Sequence, residues 1–179
     1  MSRAVRDKWR RKEWYDIILP RYFGETKVGE TPSDDPGKVV GRVFETTLAA
    51  ITGDFSQEYI KMYFQVNELE GHTARTVFKG HEYLRDYLRS LVRRRSTKID
   101  GSFRVFTKDG YRVKIVVTAM TQRRIKTSQE YAIRKIMQGV VEDKAESLTF
   151  DQLAHEMVLG KLASDVYNLA KNVTSLRHV

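Results

Sequence analysis

The clearest pattern along the chain is alternation. From Tyr59 to Leu69, Ile60, Met62, Phe64 and Val66 fall on one parity, and Tyr59, Lys61, Tyr63 and Gln65 on the other. That period of two predicts a half-buried strand. Glu70-Gly71 predicts a turn into a second strand at Thr73–Lys79. Upstream, Val39 to Ile51 is rich in β-branched residues, carries Val40, Phe44, Thr46 and Leu48 on one parity, and reads as a strand ending at the Gly53-Asp54 turn. Further on, Ile99–Phe106 and Tyr111–Thr121 alternate on either side of Lys108-Asp109-Gly110, a hairpin signal. In the second of these, Val113, Ile115 and Val117 are set against Arg112, Lys114 and Val116.

Elsewhere the period becomes helical. After Gly80, His81 to about Arg95 places Leu84, Tyr87, Leu88 and Leu91 on one stripe. Arg85, Arg89 and Arg93 then share a solvent-facing ridge at i, i+4 and i+8. Thr127 with Glu130 predicts a capping box before a helix at 129–138, and Thr149 with Gln152 predicts a second. Gly160 predicts a break, and Leu159, Leu162, Val166, Leu169 and Val173 a buried seam. Trp14 to Phe23 mixes aromatic and apolar residues, and 24–38, with Gly24, Gly29, Pro32, Pro36 and Gly37, reads as a loop. This order predicts an α+β fold: an antiparallel β-sheet curled into a barrel-like core, with one inserted helix and C-terminal helices. The 179 residues suit a basic arm at 1–13 and one domain at 14–179, mainly β over 39–121 and mainly helical over 127–175.

Charge changes the picture more than composition does. The formal net charge is +9, but residues 1–12 carry +5, residues 85–126 carry +10, and the remainder is acidic at −6. Two focused positive segments on a mildly acidic body are the electrostatic footprint of a polyanion partner, and nucleic acid fits it best. A membrane partner fits poorly, because the basic helix is short and has no Trp or Phe on its apolar stripe. No stretch reaches the roughly 18 apolar residues of a membrane-spanning helix, and the basic N-terminus has no apolar run of a secretory signal behind it. With no cysteine in the chain, thiolate zinc sites, iron–sulfur clusters and cysteine nucleophiles are excluded. A cytoplasmic protein is expected.

Catalytic chemistry finds little support. His72, His81, His155 and His178 are scattered, and His155-Glu156 lacks the second histidine of a zinc-protease helix, since Leu159 stands there. No phosphate-cradling loop and no serine elbow occur, so no cofactor or metal is expected. A magnesium-dependent RNA-processing enzyme would have to use Asp34, Asp35 or Glu45, but adjacent acids in a Pro/Gly loop are ordinarily solvated turn residues. A free RNA-binding regulator is the other alternative.

The basic clusters fit RNA directly. Arg93-Arg94-Arg95 with Lys98 surrounds a helix end, and three consecutive guanidiniums cannot all serve one cap. Arg123, Arg124 and Lys126 lie where a strand hands over to a helix opened by Thr127-Ser128, and Arg134 and Lys135 continue the basic surface. In the arm, Arg10, Arg11 and Lys12 meet Trp14 and Tyr15, aromatics that serve either to stack on bases or to anchor the arm. These fourteen residues form the candidate RNA-binding set.

Taken in order, several of these segments resemble a known family. Lys12-Glu13-Trp14-Tyr15-Asp16-Ile17 with Pro20 and Phe23-Gly24 resembles the opening of the archaeal and eukaryotic small-subunit ribosomal protein family S-three-A-e. Gly41-Arg42-Val43-Phe44-Glu45 with Leu48, Phe78-Lys79-Gly80-His81 with Leu84-Arg85-Asp86, Asp109-Gly110-Tyr111, Thr127-Ser128-Gln129 and Ile133-Arg134-Lys135-Ile136-Met137 continue the resemblance from about residue 8 to the C-terminus. It implies a structural part of the small ribosomal subunit, on the platform near the messenger exit. Ribosomal RNA and neighbouring platform proteins would be its partners, with messenger RNA nearby. The family's basic stretches fall on Arg93–Arg95, Lys98, Arg123, Arg124 and Lys126. The long lysine-rich N-terminal extension of eukaryotic members is missing, so an archaeal-type protein is expected. A final basic strand usual after Leu176-Arg177-His178-Val179 is also expected to be absent.

Overall fold

A computed structural model describes residues 8–179, with the side chains of Lys8 and Arg10 outside the description. Most of the expected arm at 1–13 therefore lies beyond the described residues. The chain divides into two compact units, 1–84 and 85–179, where the sequence predicts one domain from residue 14.

The first unit is a sheet with short helical turns. Its strands are β1 (Glu13–Ile18), β2 (Lys27–Ser33), β3 (Val43–Thr47), β4 (Ile60–Glu70) and β5 (Thr73–Tyr83), in the order β2-β1-β5-β4-β3. All pairs are antiparallel except β1 with β5. The expected β4 alternation is realised, with Ile60, Met62, Phe64 and Val66 buried. Phe23, Phe64 and Phe78 meet with ring centroids 5.4–5.8 Å apart, a spacing that favours edge and offset contacts.

Three sequence expectations are corrected in this unit. The loop at 24–38 contains β2. Gly29 and Pro32 are tolerated there because β2 is an edge strand, where a missing N–H breaks no central ladder. The strand predicted from Val39 is only β3, because Thr47 caps a short helix, α1 (Leu48–Thr52), by accepting the Ala50 N–H at 3.3 Å. β5 runs through Gly80 to Tyr83, so the helix predicted from His81 shrinks to α2 (Arg85–Leu91). Arg93 lies beyond that helix and leaves the predicted arginine ridge.

In the second unit, β6 (Lys98–Phe106), β7 (Arg112–Thr121) and β8 (Leu176–His178) form an antiparallel sheet. With it go α3 (Thr127–Ser147), α4 (Phe150–Val158) and α5 (Lys161–Ala170). β8, which the sequence pattern does not predict, lies within Leu176–Val179 and is separate from the family's strand beyond it. The α3 stripe Ile133, Met137, Val140, Val141 and Ala145 is buried with Ile99, Val105, Ile115, Val117 and Ala119 of the sheet. Each Val, Ile or Met among them contributes about 1.5–3 kcal/mol on burial, and the two alanines less. Helix starts follow local chemistry. Gln129 Oε1 accepts the Lys126 N–H at 3.2 Å, so the cap lies one residue before the predicted Thr127, and Glu130 instead faces Arg134 at 3.6 Å. Gln152 accepts the Thr149 N–H at 3.3 Å, as the second motif predicts. The α5 seam is Leu162, Val166 and Ala170, spaced four residues apart along one face, while Leu159 and Leu169 are 57% and 52% exposed.

The chain is α+β as expected, but among the described residues no sheet closes into a barrel. The strands form two open sheets because each has its own apolar face to bury: Met62, Phe64 and Val66 in one unit, Ile99, Ile115 and Val117 in the other.

Gly101 shows how tightly the second core is built. A Cβ there would come within 2.6 Å of the Phe103 ring and 3.4 Å of Met137 Sδ. The ring folds back over the space a side chain would need. Gly101→Ala is expected to lower stability by about 1–3 kcal/mol in urea titration, and Phe103→Leu in the same chain should recover part of the loss. Strict additivity of the two changes would show that the ring does not depend on the glycine.

Candidate nucleic-acid interface

The two arginine runs of the second unit are brought together by a pair of threonines. Thr121 is fully buried at the end of β7. Its Oγ1 donates to the Arg123 carbonyl at 2.6 Å and accepts the Thr97 N–H at 2.9 Å, while the Thr121 N–H donates to the Thr97 carbonyl at 3.0 Å. Thr97 Oγ1 in turn accepts the Ile125 N–H at 3.3 Å. The start of β6 and the segment after β7 are therefore clamped through backbone groups, which leaves the arginine side chains between them free to point outward.

Before the clamp, Arg93 to Ser96 form a tight turn. The Ser96 N–H donates to the Arg93 carbonyl at 3.3 Å, and Ser96 Oγ donates to the same oxygen at 2.6 Å. Arg95 sits in this turn at φ +64°, a left-handed conformation that costs an L-residue roughly 1–2 kcal/mol. Such strain persists where the surroundings fix it, often at functional sites.

The result is an open concavity of about 980 Å³ lined by Arg94, Arg95, Ser96, Gln122, Arg123 and Arg124. All four arginines are exposed, and none forms an ion pair with a described residue. Four unneutralised guanidiniums around one hollow repel each other unless an anion enters. Planar five-donor forks suit phosphate oxygens in particular. Gln122 adds a neutral amide donor, while the Ser96 hydroxyl proton is already given to the Arg93 carbonyl. Sequence reasoning omits both, although their place beside the arginine runs was the available signal.

Other predicted residues are placed differently. Arg93 is exposed but does not line the hollow. Lys98 is exposed and held by Asp100 at 3.0 Å. Lys126 precedes α3, and Lys135 is exposed on it. Arg134 donates to the Asp100 carbonyl at 3.2 Å and faces Glu130, so part of its fork is engaged in the fold. In the first unit, Arg11 is exposed, and Lys12 lies over the Trp9 ring at 3.6 Å, a cation–π contact. Arg10 is a candidate whose side chain lies outside the described residues. The two arm aromatics separate. Trp14 is 57% exposed and available for stacking, whereas Tyr15 is 2% exposed in the core with Val39, Val66 and Ala74. Tyr15 therefore leaves the RNA-binding set: β1 alternation turns it inward. Burial, with the nearby Glu13 carboxylate, raises its phenol above the usual range.

The candidate metal carboxylates are engaged elsewhere. Asp34 pairs with Lys38 at 3.1 Å, which lowers its carboxyl below the usual range. Asp35 caps a turn by accepting the Gly37 N–H at 3.0 Å, and Glu45 pairs with Lys61. These contacts give each carboxylate a role in local structure, and among the described residues no three His, Asp or Glu side chains cluster as a metal site.

Two outcomes test this geometry. Thr121→Val keeps the shape but orphans the Thr97 N–H and the Arg123 carbonyl, so it should cost about 2 kcal/mol. RNA affinity should fall with no cation removed, and Thr121→Ser should restore both; unaltered affinity in a stable valine variant would separate the clamp from the site. Arg95→Gly removes the backbone strain and one guanidinium, so the melting temperature should hold or rise while RNA affinity drops.

Comparison with known proteins agrees with the earlier resemblance. The model of the Ribosomal S3Ae family matches residues 1–179. A small ribosomal subunit protein eS1 from Aeropyrum pernix is 52% identical, over 98% of this chain and 84% of its own length. The protein of the same name from Staphylothermus marinus is 49% identical over 98% and 83%, and that from Saccharolobus solfataricus is 47% identical over 97% and 84%. These relatives are archaeal. With a family model spanning its whole length and relatives near half identity across almost all of it, the chain belongs to the Ribosomal S3Ae family.

Proposed function

We propose that this protein is a structural constituent of the small ribosomal subunit that holds ribosomal RNA through the Arg94–Arg95–Arg123–Arg124 concavity. The observation that carries the reading is four exposed guanidiniums converging on one hollow without an acidic partner among the described residues. Its relatives are small-subunit proteins by name. Binding would follow from release of counterions at phosphates, with the rigid Thr97–Thr121 clamp fixing the spacing that one RNA shape matches. Trp14, Arg11 and Lys12 supply a second contact in the first unit. The protein acts in the cytoplasm, as part of the ribosome and without catalysis. In this reading it sits on the platform near the messenger exit, beside other platform proteins, a position that the family resemblance supports.

The test is sedimentation of the tagged protein from native lysate through sucrose, at low and high salt, with and without RNase. Wild-type protein should travel with the small subunit and be released by RNase. With Arg94, Arg95, Arg123 and Arg124 all changed to Gln, the folded chain should dissociate at lower salt. The slope of log affinity against log salt should become shallower by about three, from roughly 0.7–0.9 per phosphate contact. A variant that stays with the subunit at every salt concentration would remove the concavity from the interface.

A further inference from the structure

We propose that the solvent-facing side of the β6–β7 hairpin is a second RNA surface, one that takes an unpaired strand. The inference rests on RNA being the partner, but it uses residues the concavity does not. One parity of the hairpin is buried in the core. The other presents Asp100, Ser102, Arg104 and Phe106 from β6, paired with Thr118, Val116, Lys114 and Arg112 from β7.

Charge on this face is one-sided. Asp100 is its acid, and it is already occupied by Lys98 at 3.0 Å and by the Thr118 hydroxyl at 2.7 Å. Arg104, Arg112 and Lys114 are exposed and form no ion pair with a described residue. Arg104 stands directly opposite Lys114 in the ladder. Like charges facing across strands destabilise a sheet, so folding alone gives no reason for the pair. A polyanion lying along the face would turn that repulsion into attraction.

Apolar surface on the same face narrows the class of polyanion. Phe106 is 64% exposed and Val116 59%, whereas Tyr111 falls on the opposite parity and packs its ring against Phe150 at 5.3 Å. A duplex turns phosphates and sugars outward and offers an aromatic ring little to stack on. An unpaired base offers a flat face, and a sheet that mixes cations with exposed aromatics is a stacking platform for single strands. The strand from Lys98 to Phe106 spans roughly 27 Å at ~3.4 Å per residue, room for several nucleotides.

Fluorescence anisotropy with the full chain tests this. The probes are a uridine oligonucleotide of about 12 residues, within the ~4–16 nucleotide range of single-strand sites, and a duplex RNA of similar charge. Phe106→Ala should weaken the uridine oligonucleotide about tenfold and leave the duplex unchanged. The triple variant R104Q/R112Q/K114Q should lower the salt slope on the oligonucleotide by about two, at ~0.7 per contact. It should also keep or raise the melting temperature, since it relieves the cross-strand repulsion. If both variants bind the oligonucleotide like wild type while the four-arginine variant does not, the concavity stands and the hairpin surface is overturned. A wild-type protein that binds only duplex, or that binds polyglutamate and not the oligonucleotide, also overturns it, the latter in favour of an acidic protein partner. If neither the hairpin variants nor the four-arginine variant changes RNA binding, both assignments fail together.

Discussion

The candidate site depends on one buried hydroxyl. Thr121 Oγ1 joins the backbone that leads into β6 to the backbone that leaves β7. Without that bond, the two arginine runs would be tied only by the Thr121 N–H to the Thr97 carbonyl and the Ile125 N–H to Thr97 Oγ1, and their spacing would be held less firmly. Side-chain charge cannot supply the spacing, because four like charges push apart. Neutral backbone bonds in a dry site can, since each is costly to leave unmade. The cations are therefore held together by groups that carry no charge, and the guanidiniums keep all their donors for a ligand.

This arrangement opposes stability in two visible ways. Arg95 occupies a left-handed turn position where glycine would rest without strain. Arg104 and Lys114 face each other across a ladder where an opposite pair would be favourable. The core beneath offsets both. The α3 stripe Ile133, Met137 and Val141 is fully buried, and Gly101 lets the Phe103 ring fold down beside Met137. One face of the hairpin is closed by packing, so the other can be spent on a surface that folding alone would not select.

Much of the fold was legible because period and burial coincide. The strands β4, β6 and β7 each bury one parity, and that parity, with Phe103 and Val105 on one side of β6, could be named from the residues alone. Reading failed where local chemistry and tertiary pairing diverge. Gly29 and Pro32 mark a loop on local grounds, yet the segment pairs along β1, which no local signal reveals. Gly80 looks like a helix boundary, yet the ladder with β4 carries β5 past it to Tyr83. For the site, Arg94, Arg95, Arg123 and Arg124 could be listed from charge runs. Their convergence could not, because Thr97 and Thr121 lie 24 positions apart and look like ordinary strand residues. Tyr15 and Trp14 could not be separated without the register of β1, which buries one and exposes the other.

The acids explain why the positive segments stay positive. Elsewhere in the chain, cations find partners close by: Lys144 with Glu156 at 3.0 Å and Asp165 at 3.3 Å, Lys38 with Asp34, Lys27 with Asp16 and Glu30. Lys144 is held so firmly that its ammonium is raised above the usual lysine range, chiefly by those two hydrogen bonds. Each of these pairs is worth little to stability on a surface. Their collective effect is on the field. Between 85 and 126 there are thirteen bases and three acids, and of those acids Asp100 already serves Lys98. An arginine in the concavity has no intramolecular carboxylate to compete with a phosphate. An incoming RNA strand therefore need not first break an ion pair, and the desolvation it must overcome is that of weakly hydrated guanidiniums. Segregation of charge, rather than the net +9 alone, leaves this surface without internal neutralisation and so suited to a polyanion.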